Sequence, residues 1–463
     1  MNVLLARRSA FIERTLSAFL EPAAMTRRGR GRIAVSCLAG LALVVAGTRD
    51  SSAGSRDATS AASGLYTFDA SNALLRQLIA SEKERIDLKW SPDGAWIASE
   101  DTDDFLVDVI SPAGGAPRDV VSVEWSRTGS KVAYANGGGL FVGPSDWSSP
   151  SRITPARGSD AIGWAPAGGR FVFGAGRASS CCWRSLRLAR ASGVGARKLW
   201  TPPSDGPAAS WIDTAAWSPT GTEIAVQATI NNGVASRNGG EFLYLVRPGR
   251  PGARKLNVRP SGDLRGWSVD GKWLLLGSDT LFRVRPTGGR SQSLCPAPCA
   301  DEELSSDMSR VAFVTGDEDT GPSTLWVSKV DGSDKRRIMD SPGPMWVDWS
   351  GDGRELALTF IDPNGEHASV GVADLASGEI QHLTDGAHTD IVFGGLSYDG
   401  SYLTFGRIDD RNDPELWVVG TNGGEAMKVM SLAFDPDLGA CPEAAWSPTA
   451  STLAITNAAC EPS

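Results

Sequence analysis

The chain has 463 residues, 41% hydrophobic and 21% charged, with a net charge of −9 and an isoelectric point near 5.1. This is a globular composition with ample length for a core, and it excludes a low-complexity or fibrous chain. No basic stripe with interleaved aromatics occurs, so nucleic acid is not an expected partner.

Residues 1–24 carry no clear pattern and are unassigned, and Met25 offers an alternative start. Arg27, Arg28, Arg30 and Arg32 then form a basic segment before an apolar run over residues 33–46. That run is short for a bilayer span, and Val44-Val45-Ala46 offers a cleavage site. Residues 25–46 therefore read as a secretory signal peptide, with an uncleaved membrane anchor as the alternative. Cys37 formally fits a lipoprotein box, but most of the apolar run follows it. Residues 47–63, rich in Ser, Ala and Gly, read as a flexible linker.

From residue 64 onward one stretch recurs. Trp90-Ser91-Pro92-Asp93-Gly94 is followed by Trp96-Ile97-Ala98, and related copies start at Trp125, Trp164, Trp217, Trp267, Leu304, Trp349, Leu396 and Trp446. Pro fixes φ, Asp bonds its own backbone and Gly takes the positive-φ corner, so each copy predicts strand, tight turn, strand. The copies lie 35 to 53 residues apart, which is the period of one supersecondary unit. Between them lies a second hairpin, with first strands such as Leu140-Phe141-Val142 and Leu325-Trp326-Val327. Each unit thus has four antiparallel strands, named A to D from the centre outward. Strand B runs such as Val311-Ala312-Phe313-Val314 suit sheets covered on both faces.

Trp-Ser-Pro-Asp-Gly followed by Ile-Ala resembles the WD40-like repeat of TolB-type β-propellers, over about residues 65–457. The resemblance implies an all-β fold: a single closed propeller over residues 64–463, nine-bladed by motif count, with eight as the alternative. Residues 65–79 look like a C–D hairpin without an A–B hairpin, and residues 441–457 like the reverse. Their pairing would close the ring and remove exposed sheet edges.

Six cysteines remain after the signal, and an even count in an exported chain suggests disulfides. Cys441 and Cys460 flank the last A–B hairpin and are the first expected pair. Cys295 and Cys299 are the second, which leaves Cys181 and Cys182 to form a vicinal bond or stay reduced. Zinc fails on spacing and on the lack of nearby His.

Nothing in the chain marks an enzyme. Gly395-Leu396-Ser397-Tyr398-Asp399 lacks the second Gly of a nucleophile elbow, and no phosphate or dinucleotide fingerprint occurs. His367, His382 and His388 fall in one unit and read as surface residues rather than a metal site. The runs Asp317-Glu318-Asp319 and 409–413 resemble calcium loops without the EF-hand spacing, so no cofactor is expected and calcium is a weak alternative. Turn acids such as Asp93, Asp270, Asp352 and Asp399 read as turn formers.

The function expected is an exported, non-enzymatic scaffold for protein–protein interaction in the cell envelope, periplasmic or secreted and monomeric. A carbohydrate-active lyase or hydrolase is the alternative. The irregular B–C and D–A loops share one face, where binding residues tend to concentrate. Asp317, Asp319, Asp409 and Asp410 are the candidate partner-binding residues there, suited to a cationic protein segment.

Overall fold

Each copy of the repeated stretch ends one strand and begins the next. The computed structural model describes residues 63–457 apart from 82–84, 102–105, 155–157, 178–181, 204–209, 231–239, 278–279, 296–298, 317–320, 363–366, 409–413 and 433–441. The expected leader and nearly all of the linker lie outside the described residues. The strands Arg85–Trp90, Ser122–Trp125, Ser159–Trp164, Trp211–Trp217, Leu264–Trp267, Cys299–Leu304, Met345–Trp349, Thr389–Leu396 and Glu443–Trp446 all stop on the first residue of a copy. What stops them is the turn. Ser91 Oγ donates to Asp93 Oδ1 (2.6 Å) and accepts from the Trp96 amide (3.0 Å). Gly94, at φ 71°, donates its amide to the Ser91 carbonyl. The same Ser–Asp bond recurs at Ser268–Asp270, Ser305–Asp307, Ser350–Asp352 and Ser397–Asp399. These serines are buried, so each hydroxyl replaces the water it has lost, as buried polar groups require. The turn acids are thereby accounted for as turn formers.

The fold is all β, with no helix among the described residues. Antiparallel four-stranded units follow one another in a propeller arrangement, as five four-stranded sheets and two eight-stranded ones. Each eight-stranded sheet consists of two four-stranded units touching through one residue pair, Trp183 with Ile212 and Ala368 with Thr389. The second strand of each unit is the most buried: Ile97 and Ala98, Val132 and Ala133, Leu274 to Leu276, and Val311 to Val314 are almost wholly enclosed. One sheet joins distant parts of the chain. Its order is Leu74–Ala80, Gly64–Asp69, Thr452–Asn457, Glu443–Trp446. Gly64–Asp69 pairs antiparallel with Thr452–Asn457, from Gly64 opposite Asn457 to Asp69 opposite Thr452.

Two sets of side-chain bonds tie neighbouring units together. On the inside, the repeat Trp donates its indole N–H to the carbonyl just before the repeat residue of the preceding unit. Trp164 bonds Glu124 (3.1 Å), Trp217 bonds Gly163 (3.1 Å), Trp267 bonds Ala216 (3.0 Å), Trp349 bonds Glu303 (3.0 Å) and Trp446 bonds Gly395 (3.1 Å). Trp90 bonds Ala445 (2.8 Å), across 355 positions of sequence. Trp125 departs from the rule: its indole N–H is buried without an acceptor among the described residues. The carbonyl due to it is that of Lys89, in a strand whose pairing register shifts between Ile86 and Lys89, with Asp87 at φ 55°.

On the outside, arginines of the fourth strands reach the carbonyl of the next unit's C–D turn. Arg76 bonds Ala113 (2.8 Å), Arg254 bonds Pro286 (2.7 Å), Arg336 bonds Leu375 (3.2 Å), and Arg197 bonds Pro248. A short outer strand carrying Arg or Lys also resists edge-to-edge association.

Candidate functional site: an acidic axis

The inner strands carry acids. Asp87, Glu124, Asp160, Asp213, Asp348, Asp390 and Glu443 each stand on one of them, and Asp301, Glu302 and Glu303 stand together on a single strand. Some are committed to the fold. Asp390 is fully buried and holds Arg407 bidentately (2.6 and 2.8 Å). Asp160 accepts the Trp183 indole (2.7 Å). Glu443 accepts the amides of Asp87 (3.3 Å) and Leu88 (2.7 Å) and so clasps the irregular turn of the next inner strand.

The run at 301–303, with Asp348, is different. Asp301 Oδ2 accepts the Val347 amide (2.8 Å) across a seam between units. Glu302 Oε1 accepts the Leu281 amide (2.6 Å), while its Oε2 is buried without a partner among the described residues. Asp348 Oδ1 accepts the Trp349 amide (2.7 Å). Its other oxygen lies where a side chain at residue 395 would stand: a Cβ on Gly395 would come within 2.4 Å of Asp348 Oδ2. All four acids are deeply set yet keep part of their surface open. Burial pushes Asp301 and Glu302 up to about 7 and Asp348 to about 6, against the backbone N–H bonds that favour the charged forms. Glu303 is pushed well above the ordinary range by burial, then by the charges of Asp348 and Asp301, with Arg265 opposing. Asp213, on another inner strand, is raised to about 6 by burial; the Thr229 hydroxyl (2.9 Å) opposes and Glu241 adds to it. Such an array can exchange protons near neutrality, because desolvation and like charge disfavour full ionisation.

The candidate partner residues Asp317, Asp319, Asp409 and Asp410 lie outside the described residues, as do Cys441 and Cys460. Cys295 and Cys299 are at disulfide distance, with Cα atoms 6.0 Å apart. Their sulfurs gather with Glu302, but a disulfide offers no thiolate to a metal. Cys182 is also disulfide-bonded. His382 packs against Phe360 (4.4 Å between rings), and no His joins a potential metal-ligand group among the described residues. Ser397 is engaged in its turn by Asp399 and the Tyr402 amide. No described helix is long and apolar enough to cross a membrane.

The axial acids were missed by motif reading, although a signal existed. In most copies an acid stands within four residues before the repeat residue, as Asp87, Glu124, Asp213, Asp301, Asp348 and Glu443 do. Reading the copies only from Trp onward hides that column.

No family model matches the chain. Over 249 residues it is 27% identical to the Tol-Pal system protein TolB of Anaeromyxobacter dehalogenans (strain 2CP-1 / ATCC BAA-258), covering 53% of this chain and 50% of that protein. The TolB of Anaeromyxobacter sp. (strain K) is 28% identical over the same shares. The chain thus spans about half the length of the curated relatives it matches. Among solved structures, a TolB from Agrobacterium tumefaciens is 16% identical with a TM-score of 0.28, over 70% of this chain and 99% of that one. A eukaryotic initiation factor is 12% identical with a TM-score of 0.46, over 80% and 97%. Likenesses at these scores carry no argument about function. In its repeated Trp-Ser-Pro-Asp-Gly turn, its four-stranded units and its sequence, the chain is similar to the TolB-type family of WD40-like β-propellers.

Proposed function

We propose that the chain is an exported, non-enzymatic scaffold for protein–protein interaction in the cell envelope, built as one closed ring of nine four-stranded units. Closure is supported by the pairing of Gly64–Asp69 with Thr452–Asn457 and by the Trp90 indole bond to Ala445. A closed ring presents a rigid face at little ordering cost on binding. Its partner supplies a cationic segment to the loop-rich face. The observation that carries this is the acidic run Asp301-Glu302-Glu303, which descends an inner strand from the loop side, with Arg265 near Glu303. The candidates Asp317, Asp319, Asp409 and Asp410 are expected on that same side from the sequence pattern. Export is supported by the leader-like residues 25–46 and by the disulfide-distance pair, since such bonds persist in oxidising compartments. The mature chain works as a monomer without a cofactor.

The test is affinity capture from envelope extracts with the mature chain as bait. One comparison chain carries Asp317, Asp319, Asp409 and Asp410 all replaced by Asn, and another carries Glu302→Gln with Glu303→Gln. Capture that weakens with salt, and weakens further in these variants, is the expected outcome. Partner capture indifferent to salt and to both sets of substitutions refutes the acidic face. A second reading, a carbohydrate-active lyase or hydrolase, draws on the carboxyl groups raised to about 6 and 7 on the axis, since a general acid needs such a value. Turnover of an oligosaccharide panel that is abolished by Glu302→Gln would favour it over the scaffold.

A further inference from the structure

The opposite face, formed by the A–B and C–D turns, holds one arginine that does not follow its equivalents. Arg118 begins the outer strand Arg118–Val120, the position from which Arg197 and Arg336 reach into the next unit's C–D turn. The guanidinium of Arg118 makes no ion pair or hydrogen bond among the described residues. It rests instead against two indoles, 5.6 Å from the Trp96 ring centroid and 5.4 Å from that of Trp147. The two rings are nearly perpendicular (75°, centroids 6.1 Å apart) and form a corner. Tyr134 backs Trp147 at 4.5 Å.

Trp147 occupies the turn that would otherwise offer a carbonyl, and its conformation is unusual. Its φ is 63°, a left-handed value that bulky side chains rarely adopt. Its indole N–H is buried without an acceptor among the described residues. Two unfavourable features in one residue are explained if the fold holds the ring in place for a purpose other than stability, as strained residues at binding sites are. The effect is to confine Arg118 between the two rings while the residue stays exposed to solvent. Nearby acids do not satisfy it. Asp119 turns to the other side of the strand, towards Asp108, and Asp146 accepts the Ser148 amide (2.9 Å).

We propose that Arg118, cornered by Trp96 and Trp147, is a carboxylate-binding site that takes an Asp or Glu side chain from an extended acidic peptide of a protein partner. A guanidinium packed against aromatic rings loses little freedom on binding and can match a carboxylate with two parallel N–H bonds. The strand Arg118–Val120 is outermost in its sheet and Arg118 is exposed, so a carboxylate on an extended chain can reach it from solvent. The site is separate from the acidic axis, has the opposite charge preference and stands whether or not the axial reading holds.

The experiment is fluorescence polarisation with a fluorescein-labelled hexaglutamate peptide and its hexaglutamine counterpart on the full mature chain. Wild type binds hexaglutamate and not hexaglutamine. Arg118→Lys, which keeps the charge and loses the planar fork, weakens binding about tenfold or more. Arg254→Lys, at an arginine already bonded to Pro286, leaves it unchanged. Circular dichroism confirms that both variants fold. No hexaglutamate binding by wild type, equal binding by Arg118→Lys, or equal loss in Arg254→Lys overturns the proposal. So does binding to phosphatidylglycerol vesicles in place of the peptide.

Discussion

The axial acids make a prediction about pH that runs against the usual acid lability of proteins. Asp301 and Glu302 are raised to about 7 and Asp348 to about 6, and Glu303 is raised well above its ordinary value, by burial first. A carboxyl whose folded pKa exceeds its unfolded value binds its proton more tightly when folded. Its contribution to stability is complete below the unfolded value, near 4, and is lost as pH rises through the folded value. The protein should therefore gain stability on acidification from pH 8.5 to 5.5. A rise from 3.8 to about 7, as at Asp301, is worth about 4 kcal/mol over its whole range, of which about 2 kcal/mol falls between pH 8.5 and 5.5. Water reaching the open part of each acid and relaxation among neighbours reduce this, and about 1–3 kcal/mol is expected for the group. In a chain of this size that is on the order of 2–5 °C in melting temperature. The carboxylates lowered by their turn bonds, such as Asp331 and Asp374, lose their contribution only at lower pH, outside the window. Asp108 and Asp213, both raised to about 6, act in the same direction, so the comparison must be between variants. Glu303→Gln with Asp348→Asn should flatten the melting curve against pH and stabilise the protein most at pH 8.5. A wild-type melting temperature that falls on acidification, or a double variant with the wild-type slope, would refute the reasoning.

Three further outcomes follow from the seams and staples. Trp90→Phe removes the indole bond to Ala445 and should cost about 1–2 kcal/mol, whereas Trp125→Phe removes an N–H with no acceptor among the described residues and should cost less; equal losses by urea titration would contradict this. Deleting residues 64–80 should lower the melting temperature of the whole array rather than of one unit, and an unchanged transition would count against closure. Replacing Cys295 and Cys299 with Ser opens a five-residue loop and should cost about 2 kcal/mol by chain entropy; free thiols in the unreduced wild type would end that expectation.

How much of this was legible beforehand differs from feature to feature. The turn positions could be read directly, because Pro, Asp and Gly act on the backbone within four residues. The inner strands among the described residues accordingly stop at Trp90, Trp125, Trp164, Trp217, Trp267, Leu304, Trp349, Leu396 and Trp446. The all-β class and the four-strand unit followed from the same punctuation. The seams did not. That Trp446 bonds Gly395 while Trp125 bonds nothing among the described residues depends on how each strand sits against its neighbour, which a bulge at Asp87 alters without any mark in the Trp125 copy itself. The sites were least legible. Asp301, Glu302 and Glu303 are three ordinary acids in a row until the fold places them on an inner strand beside Asp348, where burial raises them. Arg118 is one more basic residue on an outer strand until the C–D turn of the next unit sets Trp147 against it. Local conformation was thus written in short stretches of chain. The electrostatic character of the axis and of the Arg118 corner was decided only by tertiary structure, because desolvation and charge coupling act through space between residues from separate units of the fold.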